Sequence, residues 1–394
     1  VASLAPRHKI IDTHQIMTET SPFSETYAAA RERFLGAARA ACGETMSYVN
    51  PHATGPAGES LSMDTAWFGP RDASAVLINT CGTHGAEGFA GSAAQIDWLI
   101  GGGATSLPPG VAVLLVHAVN PYGFAWCLRG TENNVDLNRN WLDHKAPHPE
   151  NTHYDQVHPL LCPKRIDDKA IRRLLSEGAR LIAKHGQWAL EDAISRGQYT
   201  HPDGFHFGGT TLEWSTRTLQ SIIQTELSKA RQVAFIDWHT GPVGDGELIF
   251  LCFSPPRSIG RAQAERWWGR EALSSSHVDE LWGSKRPTRH GILFWGIEAA
   301  VPTQATFAGA VVEFRSARPK SNAADALRIS MLERWLRFEG GLDAPEATQY
   351  LAEIREDYAP DRESFRVNVI QNARRTYAQT LDGLAAWRLS DAAD

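Results

Sequence analysis

Short continuous runs of apolar residues recur along the chain and are separated by stretches in which apolar positions follow helical spacing. The runs are rich in apolar and β-branched residues, which predicts buried strands. They are "ASAVLINT" (73–80), "GVAVLLVHAV" (110–119), "RQVAFIDWH" (231–239), "GELIFLCF" (246–253) and "GAVVEF" (309–314). Because continuous apolar strands alternate with helices, the pattern predicts an α/β fold with a mixed, mostly parallel sheet flanked by helices.

Five stretches are predicted to be helical from the spacing of their apolar positions. They are residues 24–41, 92–100, 167–185, 322–339 and 361–388. The first is predicted to begin at an N-cap serine, Ser24, and the fourth at an N-cap asparagine, Asn322. Residues 50–60, "NPHATGPAGES", are predicted to form a turn-rich connection.

The chain shows no internal repeat, low-complexity tract or convincing linker, so we expect one domain at residues 17–394 with a helical C-terminal part. Residues 1–16, "VASLAPRHKIIDTHQI", lack the continuous apolar stretch of a signal peptide, and a second start is available at Met17. We therefore expect residues 1–16 to be a leader or a disordered extension.

Composition narrows the classes of protein that the chain can represent. Of its 394 residues, 42% are hydrophobic and 21% are charged, which is enough apolar content for a large core. A net charge of -6 argues against nucleic-acid binding, which needs a basic surface. The apolar runs are far shorter than the roughly 20 residues that span a bilayer, so no membrane segment is expected. Five cysteines without a C-x-x-C pair indicate neither a disulfide framework nor a thiolate zinc site, and we expect a cytoplasmic protein.

Chemically versatile residues follow or end four of the predicted strands. These are His84 and Glu87 in the loop "TCGTHGAEGFAGS" (80–92), the cluster "NNVDLNRNW" (133–141), His239 in "DWHTG" (237–241), and Glu313. The carboxyl ends of strands in an open α/β sheet face a shared crevice, where ligand sites gather. We therefore expect these residues to lie close together.

Two histidines and one carboxylate from different elements can bind a zinc ion and leave a fourth position open to water or substrate. His84, Glu87 and His239 are the candidate ligands, and the glycines beside His84 allow the sharp fold that two ligands three residues apart require. Taken alone, His-x-x-Glu is more typical of a solvated loop pair, and a histidine at a strand end is more often a hydrogen-bonded structural residue. The same three-ligand shell also suits ferrous iron.

The stretch "NVDLNRNW" (134–141) concentrates an acid, several amides and an arginine, whereas a structural turn needs only one or two Asx residues. Its adjacent Asn138 and Arg139 can jointly hold a carboxylate, with the arginine as a bidentate fork. Arg129 is a separate cation that can face a developing oxyanion, although such cations are often surface charges.

Five motifs occur in an order that resembles the zinc carboxypeptidases. They are "THGAEG", "NPYGF" (120–124), "NNVDLNRNW", "DWHTG" and "VVEF". The chain most closely resembles a bacterial subgroup known as a domain of unknown function and, more distantly, the succinylglutamate desuccinylase and aspartoacylase branch. The resemblance covers roughly residues 20–340, and it implies a zinc carboxypeptidase-like fold with one zinc ion per chain.

The resemblance also implies a role for each residue of the catalytic centre. His84, Glu87 and His239 would be the zinc ligands. Glu313 would be the general base that takes a proton from zinc-bound water, and Arg129 would polarise the scissile carbonyl. These roles agree with the chemistry of the residues, because Arg129 meets charge that appears only in the tetrahedral state.

Around this centre, the resemblance implies that Asn138 and Arg139 hold the substrate's carboxylate and that Asp136 orients His84 from behind the metal. The sequence departs from the subgroup after the base, where "FRS" replaces a glycine and a threonine and places Arg315 on the same strand face as Glu313. We expect Arg315 to contact an acidic or carboxylated part of the substrate. The alternative is a salt bridge to a neighbouring loop.

The loop "GQYTHPDGFHFGGTTLEWS" (197–215) contains three potential ligands, His201, Asp203 and His206. However, "HPDG" is also a strong turn sequence, and the sequence supplies no further ligands at suitable spacing. We therefore expect this loop to form a wall of the substrate pocket rather than a second metal site.

The sequence as a whole predicts a zinc-dependent hydrolase that cleaves an amide bond next to a free carboxylate, in small peptides or modified amino acids. The alternative among enzymes is an N-acyl amino acid deacylase of the aspartoacylase type, and an esterase is chemically adjacent. A zinc-binding or carboxylate-binding relative without catalysis is a third interpretation, against which the presence of Glu313 counts. No nucleic-acid or membrane partner is expected, and the sequence carries no marker of oligomeric state.

Overall fold

A seven-stranded sheet forms the centre of the protein in a computed structural model that describes residues 21–241, 248–274, 289–316 and 323–391. Its strands are β1 (Glu44–Thr54), β2 (Ser60–Phe68), β3 (Ala75–Cys81), β4 (Val111–His117), β5 (Gln232–Gly241), β6 (Ile249–Leu251) and β7 (Thr306–Arg315). Their order in the sheet is β1-β2-β4-β3-β5-β7-β6. The central strands β4, β3, β5 and β7 run parallel, and β1, β2 and β6 join by antiparallel pairing.

Helices flank this sheet and fill the long connections between its strands. They are α1 (Tyr27–Ala40), α2 (Gly88–Ile100), α3 (Pro121–Trp126), α4 (Tyr154–Leu161), α5 (Asp168–His185), α6 (Gln187–Ser195), α7 (Trp214–Glu226), α8 (Ile259–Trp268), α9 (Arg270–Ser274), α10 (Leu293–Ala300), α11 (Ala323–Phe338), α12 (Ala347–Tyr358) and α13 (Glu363–Asp391). The predicted α/β architecture, a single domain with a mixed, mostly parallel sheet flanked by helices, is confirmed. The extension expected at residues 1–16 lies outside the described residues.

Successive residues of the central strands contact opposite helical layers. In β3, Leu77 belongs to an apolar cluster that also contains Phe34 of α1. The next residue, Ile78, belongs to a second cluster with Ile222 of α7 and Phe294 of α10. Because helices cover both faces, the central strands are buried at almost every position, which explains why the sequence shows nearly continuous apolar runs instead of alternation.

The hairpin formed by β1 and β2 differs from the sequence prediction. Residues 50–60 were expected to be a turn-rich connection, yet β1 continues to Thr54 and β2 begins at Ser60. β1 is an edge strand with mostly exposed side chains, so it carries polar residues and even a proline instead of an apolar run. The prediction of a connection was therefore wrong for all but the five central positions, 55–59.

The N-cap of α1 is also different from the predicted one. Thr26, and not Ser24, caps the helix, because its Oγ1 accepts a hydrogen bond from the backbone N–H of Ala29 at 3.2 Å. Serine and threonine are both good N-caps, but the helix begins at Tyr27, so Thr26 is the residue directly before its first turn. The N-cap expected at Asn322 lies outside the described residues.

The connection between β4 and β5 forms a largely helical insertion with a small core of its own. Tyr154, Leu161 and Phe205 pack together there, and Met331 of α11 joins them. The C-terminal helices therefore contact this insertion as well as the sheet. None of the helices within the described ranges is long and apolar enough to cross a bilayer. Each of the five cysteines, all of which lie in those ranges, is a free thiol.

Candidate active site

The glycine-rich loop after β3 carries His84 and Glu87 to the carboxyl end of the sheet. A short 3-10 helix at Gly85–Glu87 leads from this loop directly into α2. A Cβ atom built on Gly85 would lie only 1.9 Å from the carbonyl carbon of Gly123, so no side chain fits there. The loop can therefore fold tightly against the start of α3 only with glycine at position 85.

Three side chains meet at this edge of the sheet. His84, Glu87 and His239 are buried, and each offers one ligand atom within 4.8 Å of the others. The Nδ1 atoms of His84 and His239 lie 3.0 Å and 2.9 Å from the two carboxylate oxygens of Glu87. Two imidazole nitrogens and one carboxylate are a donor set that suits zinc or another divalent transition metal. The residues present therefore fit the metal that the sequence analysis assigns to them.

The charges of this cluster already favour a bound cation. Burial alone would raise the pKa of Glu87, but His84 and His239 outweigh it, and the pKa of this carboxyl falls below its usual range. Burial would lower the pKa of His239, yet Asp237 and Glu87 reverse the effect and raise it well above the usual value. Glu87 therefore stays ionised between the two imidazoles, as a ligand to a cation must be.

A second carboxylate holds the far side of each histidine ring. The Nε2 atom of His84 lies 3.1 Å from Asp136, and that of His239 lies 2.6 Å from Asp237. Asp237 in turn accepts hydrogen bonds from the hydroxyl of Thr80. A ring that donates its Nε2 proton to a carboxylate keeps its Nδ1 lone pair free for a metal, and metal-bound histidines commonly have such a partner.

Asp136 is the centre of a buried hydrogen-bond network. Besides His84, it accepts hydrogen bonds from Arg129 at 3.2 Å, from His206 Nδ1 at 2.9 Å and from the backbone N–H of Asn138 at 2.8 Å. Burial would raise the pKa of Asp136, but Arg129 and His84 lower it well below its usual range. Burial lowers the pKa of His206 to about 4, so this imidazole is neutral at pH 7 and acts as a donor to Asp136.

Arg129 lies beside the metal-ligand cluster. Its Nη2 atom is 2.8 Å from His84 Nε2, and its Nη1 atom is 3.5 Å from Glu87 Oε1. The backbone on both sides is anchored, because Arg129 N donates to Glu333 at 2.9 Å and its carbonyl accepts from Asn120 at 3.1 Å. The Arg129 side chain as a whole is 22% exposed, so it is not sealed off from a bound molecule.

Glu313 lies on the strand next to His239. In the parallel pairing of β5 with β7, the Cα atoms of His239 and Glu313 are direct partners. Burial raises the pKa of Glu313 to about 7, although the nearby His239 opposes the shift. Its side chain is only partly covered, unlike that of Phe314 beside it. The sheet thus brings a partly covered carboxyl group with a raised pKa next to His239.

Asn138 and Arg139 lie next to this network but are already engaged within the protein. The side-chain oxygen of Asn138 accepts from the backbone N–H of Leu293 at 3.0 Å. The two terminal nitrogens of Arg139 donate to the carbonyls of Asn138 and Ser195, each at 2.6 Å. Of the Arg139 side-chain nitrogens, Nε is a buried donor without a hydrogen-bond partner among the described residues. Their assignment to a substrate carboxylate stays a prediction.

Arg315 ends β7, where its Cα pairs with that of Gly241, and it alternates with Phe314 as the strand pattern predicts.

The 197–215 loop lies against Arg139, since the Tyr199 hydroxyl donates to the Arg139 carbonyl at 2.7 Å. The three potential ligands of this loop do not form one group. His206 hydrogen-bonds to Asp136, whereas His201 and Asp203 lie near His158.

Two contacts within the site were not predicted from the sequence, namely those of Asp237 with His239 and of His206 with Asp136. Asp237 stands two residues before His239 in "DWH", so the two side chains share a strand face, and this spacing was a readable signal. His206 is 70 residues from Asp136 along the chain, and no local sequence pattern predicts their contact.

Comparison with known proteins places the chain in a family. A family model described as "Protein of unknown function (DUF2817)" matches residues 23–372. A search of curated proteins gives no match.

Several solved structures are similar to the chain at low sequence identity. Carboxypeptidase A from Helicoverpa armigera is 13% identical with a TM-score of 0.44, covering 88% of this chain and 79% of that one. Bovine thrombin-activatable fibrinolysis inhibitor, in complex with tick carboxypeptidase inhibitor, is 11% identical with a TM-score of 0.44, covering 89% and 99%. Succinylglutamate desuccinylase from Chromobacterium violaceum is 15% identical with a TM-score of 0.33, covering 77% and 75%.

Proposed function

The chain belongs to the DUF2817 family, and we propose that this protein is a zinc-dependent hydrolase that cleaves an amide bond next to a free carboxylate. The observation that carries the proposal is the three-ligand cluster of His84, Glu87 and His239 with Glu313 on the adjacent strand. A structural metal site is normally closed by four protein ligands, whereas a catalytic site keeps a position open. Three ligands beside a partly exposed carboxyl group fit the catalytic type.

His84, Glu87 and His239 would hold the metal, with Asp136 and Asp237 fixing the two imidazole rings from behind. When bound in such a shell, zinc lowers the pKa of a water ligand to about 7 and polarises a carbonyl oxygen. Ferrous iron suits the same donor set, so the identity of the metal has to be measured.

Glu313 would act as general base and then as general acid. Its carboxylate would accept a proton from the attacking water and deliver that proton to the nitrogen of the leaving amine. A pKa of about 7 suits both steps, because a group that titrates near the working pH exchanges protons in either direction. The fixed pairing of β7 with β5 would keep this carboxyl group beside the ligand cluster through both steps.

Arg129 would donate a hydrogen bond to the oxyanion that develops on the scissile carbonyl. Its position beside His84 and Glu87, together with its exposed fraction, supports this role. Asn138, Arg139 and Arg315 would supply the contacts to the substrate's carboxylate. For Arg139 this requires its guanidinium to leave the Ser195 carbonyl or to use its unpaired Nε.

The proposal is tested by detecting products from a pooled library of peptides and N-acyl amino acids by mass spectrometry. Wild type is compared with Glu313→Gln, and with Glu177→Gln as a matched change at an exposed glutamate that pairs with Arg180. We expect wild type and Glu177→Gln to cleave the same substrates, and Glu313→Gln to lose activity while its metal content stays unchanged.

The products distinguish the reactions. Loss of single C-terminal residues identifies a carboxypeptidase, and free amino acids released from acylated ones identify a deacylase. Full activity of Glu313→Gln would disprove the proposed mechanism. Metal binding by wild type without any hydrolysis would favour a non-catalytic relative.

A further inference from the structure

A second group of potential metal ligands lies in the helical insertion, outside the candidate active site. His158 of α4 and His201 and Asp203 of the 197–215 loop each offer one ligand atom, and these atoms lie within 4.8 Å of one another. The three residues come from two separate parts of the chain, and all three are partly exposed. Two imidazoles and a carboxylate are again the donor set that suits a divalent transition metal.

The distances within this outer cluster agree with a shared ion. His158 Nε2 lies 3.5 Å from Asp203 Oδ1. Two ligand atoms of a tetrahedral zinc ion, each about 2.0–2.2 Å from the metal, lie roughly 3.4 Å apart. The rings of His158 and His201 lie face to face, with centroids 4.1 Å apart. Because the three ligand atoms lie within 4.8 Å of one another, one ion could reach all of them once the stacked His201 ring turns toward it.

The surroundings of the outer cluster hold its side chains in place. His201 Nε2 lies 2.8 Å from Asp155 Oδ1, the type of carboxylate contact that orients a metal-binding imidazole. Arg334 of α11 donates to Asp203 Oδ2 at 2.7 Å, which leaves Oδ1 on the side of His158. The charge of Arg334 is shared with Glu339 at 2.6 Å, so it does not face the cluster alone.

The tautomer of His158 is compatible with an ion at Nε2. Its other ring nitrogen, Nδ1, is buried and has no hydrogen-bond partner among the described residues. No internal hydrogen bond at Nδ1 therefore fixes the proton on Nε2, which can present its lone pair to an ion beside Asp203.

We propose that His158, His201 and Asp203 bind a second divalent metal ion, for which the donor set favours zinc, with water completing the coordination. The ion would link the 197–215 loop to α4. The same loop carries His206, which hydrogen-bonds to Asp136, so the ion would also stabilise one wall of the candidate active site. The proposal does not depend on hydrolysis at the first site.

Metal content provides the test. Metal-free protein is saturated with Zn²⁺, dialysed and analysed for bound metal per chain. We expect two equivalents in wild type and one in each of His158→Asn and His201→Asn. His185→Asn is the matched control, because the His185 ring also packs against another histidine of the insertion, His153, with centroids 4.5 Å apart. The control is expected to keep two equivalents, and unchanged metal content in both test variants would overturn the proposal.

The double variant His84→Ala/His239→Ala separates the two sites. It is expected to bind one equivalent of Zn²⁺ and to gain thermal stability from it, and the addition of His158→Asn should abolish both effects. A folded double variant that binds no zinc would disprove the outer site while leaving the active-site metal intact. If wild type and the double variant both bind one equivalent, the outer site stands and the active-site metal fails. If the double variant does not fold, His201→Asn in the wild-type background decides, since this side chain is 30% exposed and lies outside the core.

Discussion

His239 and Glu313 are direct partners across the parallel pairing of β5 and β7, so the candidate metal ligand and the candidate base are placed by the sheet itself. Ten consecutive residue pairs fix this register, from Gln232 with Thr306 to Gly241 with Arg315. A slip by one residue would move Glu313 to the opposite face, which the apolar covering of both faces prevents. The position of the carboxyl group therefore depends on a rigid element and not on a loop.

This rigidity leads to a first prediction, for Glu313→Asp. Removal of one methylene group withdraws the carboxylate by more than 1 Å, and the strand cannot move to compensate. We expect the turnover number to fall about 100-fold, because a misplacement of this size costs on that order. Steady-state kinetics on the substrate identified in the library, with metal analysis alongside, provides the measurement. A wild-type rate would mean that the base is a different residue.

The second prediction concerns Arg129. Replacement by methionine removes the proposed donor to the oxyanion, and we expect kcat to fall by about 100-fold to 1,000-fold, as for the loss of an oxyanion-hole donor. KM should change little, because the interaction forms mainly in the transition state. Arg337→Met is the control, since this neighbouring cation donates to the Gly130 carbonyl at 2.8 Å. Equal losses in the two variants would assign Arg129 a structural role.

The third prediction concerns Asp237, which holds the far nitrogen of His239 at 2.6 Å. In Asp237→Asn the ring loses its charged partner, and we expect the affinity for zinc to fall by about 10-fold to 100-fold. Competition with a chromophoric chelator measures this affinity. Asp64→Asn is the control, because Asp64 is an equally buried carboxylate that binds Arg31 at 2.6 Å. If both variants bind zinc equally weakly, the effect is one of general stability.

The fourth prediction concerns the loop that carries His84. Gly85→Ala forces a methyl group against the backbone at Gly123, and we expect the free energy of unfolding to fall by about 3 kcal/mol. Gly36→Ala provides the contrast, since a Cβ there meets nothing within 4 Å and the position lies inside α1. This second change should stabilise the protein by about 0.5–1 kcal/mol. Urea denaturation of the two variants measures both effects, and similar values would contradict the tight loop geometry.

The fifth prediction is a pH dependence that originates at His117. Burial lowers the pKa of this histidine to about 4, below the value of about 6.5 in an unfolded chain. The unfolded state therefore binds the proton first as the pH falls, and stability is lost from about pH 6.5 downward until the folded pKa is reached. Between pH 7 and pH 5 this histidine alone should lower the free energy of unfolding by about 2 kcal/mol.

Comparison of wild type with His117→Gln measures that contribution. Because glutamine does not titrate, the unfolding free energy of the variant should fall less steeply than that of wild type between pH 7 and pH 5. Equal slopes in the two proteins would show that His117 becomes protonated in the folded state without penalty.

Much of the fold could be read from local patterns. The apolar runs and the helical spacing predicted the central strands and the main helices, because burial on both faces of a sheet leaves a direct record in the sequence. The edge hairpin was missed because β1 is mostly exposed, and because β2, although buried, carries polar residues such as Asp64 and Thr65. The grouping of the candidate residues could also be predicted. Each of them follows or ends a predicted strand, and the carboxyl ends of parallel strands lie at one edge of the sheet.

By itself, the sequence determined the α/β architecture and the residues that gather at the edge of the sheet, namely His84, Glu87, His239 and Glu313. Only the tertiary structure decided which polar groups pair with one another. In the structure, His206 hydrogen-bonds to Asp136, and His158 lies beside His201 and Asp203. Arg139 donates to two backbone carbonyls. The spacing of apolar residues reflects the periodicity of one helix or one strand. These contacts instead join residues that are far apart in the sequence, and the spacing within one element does not predict them.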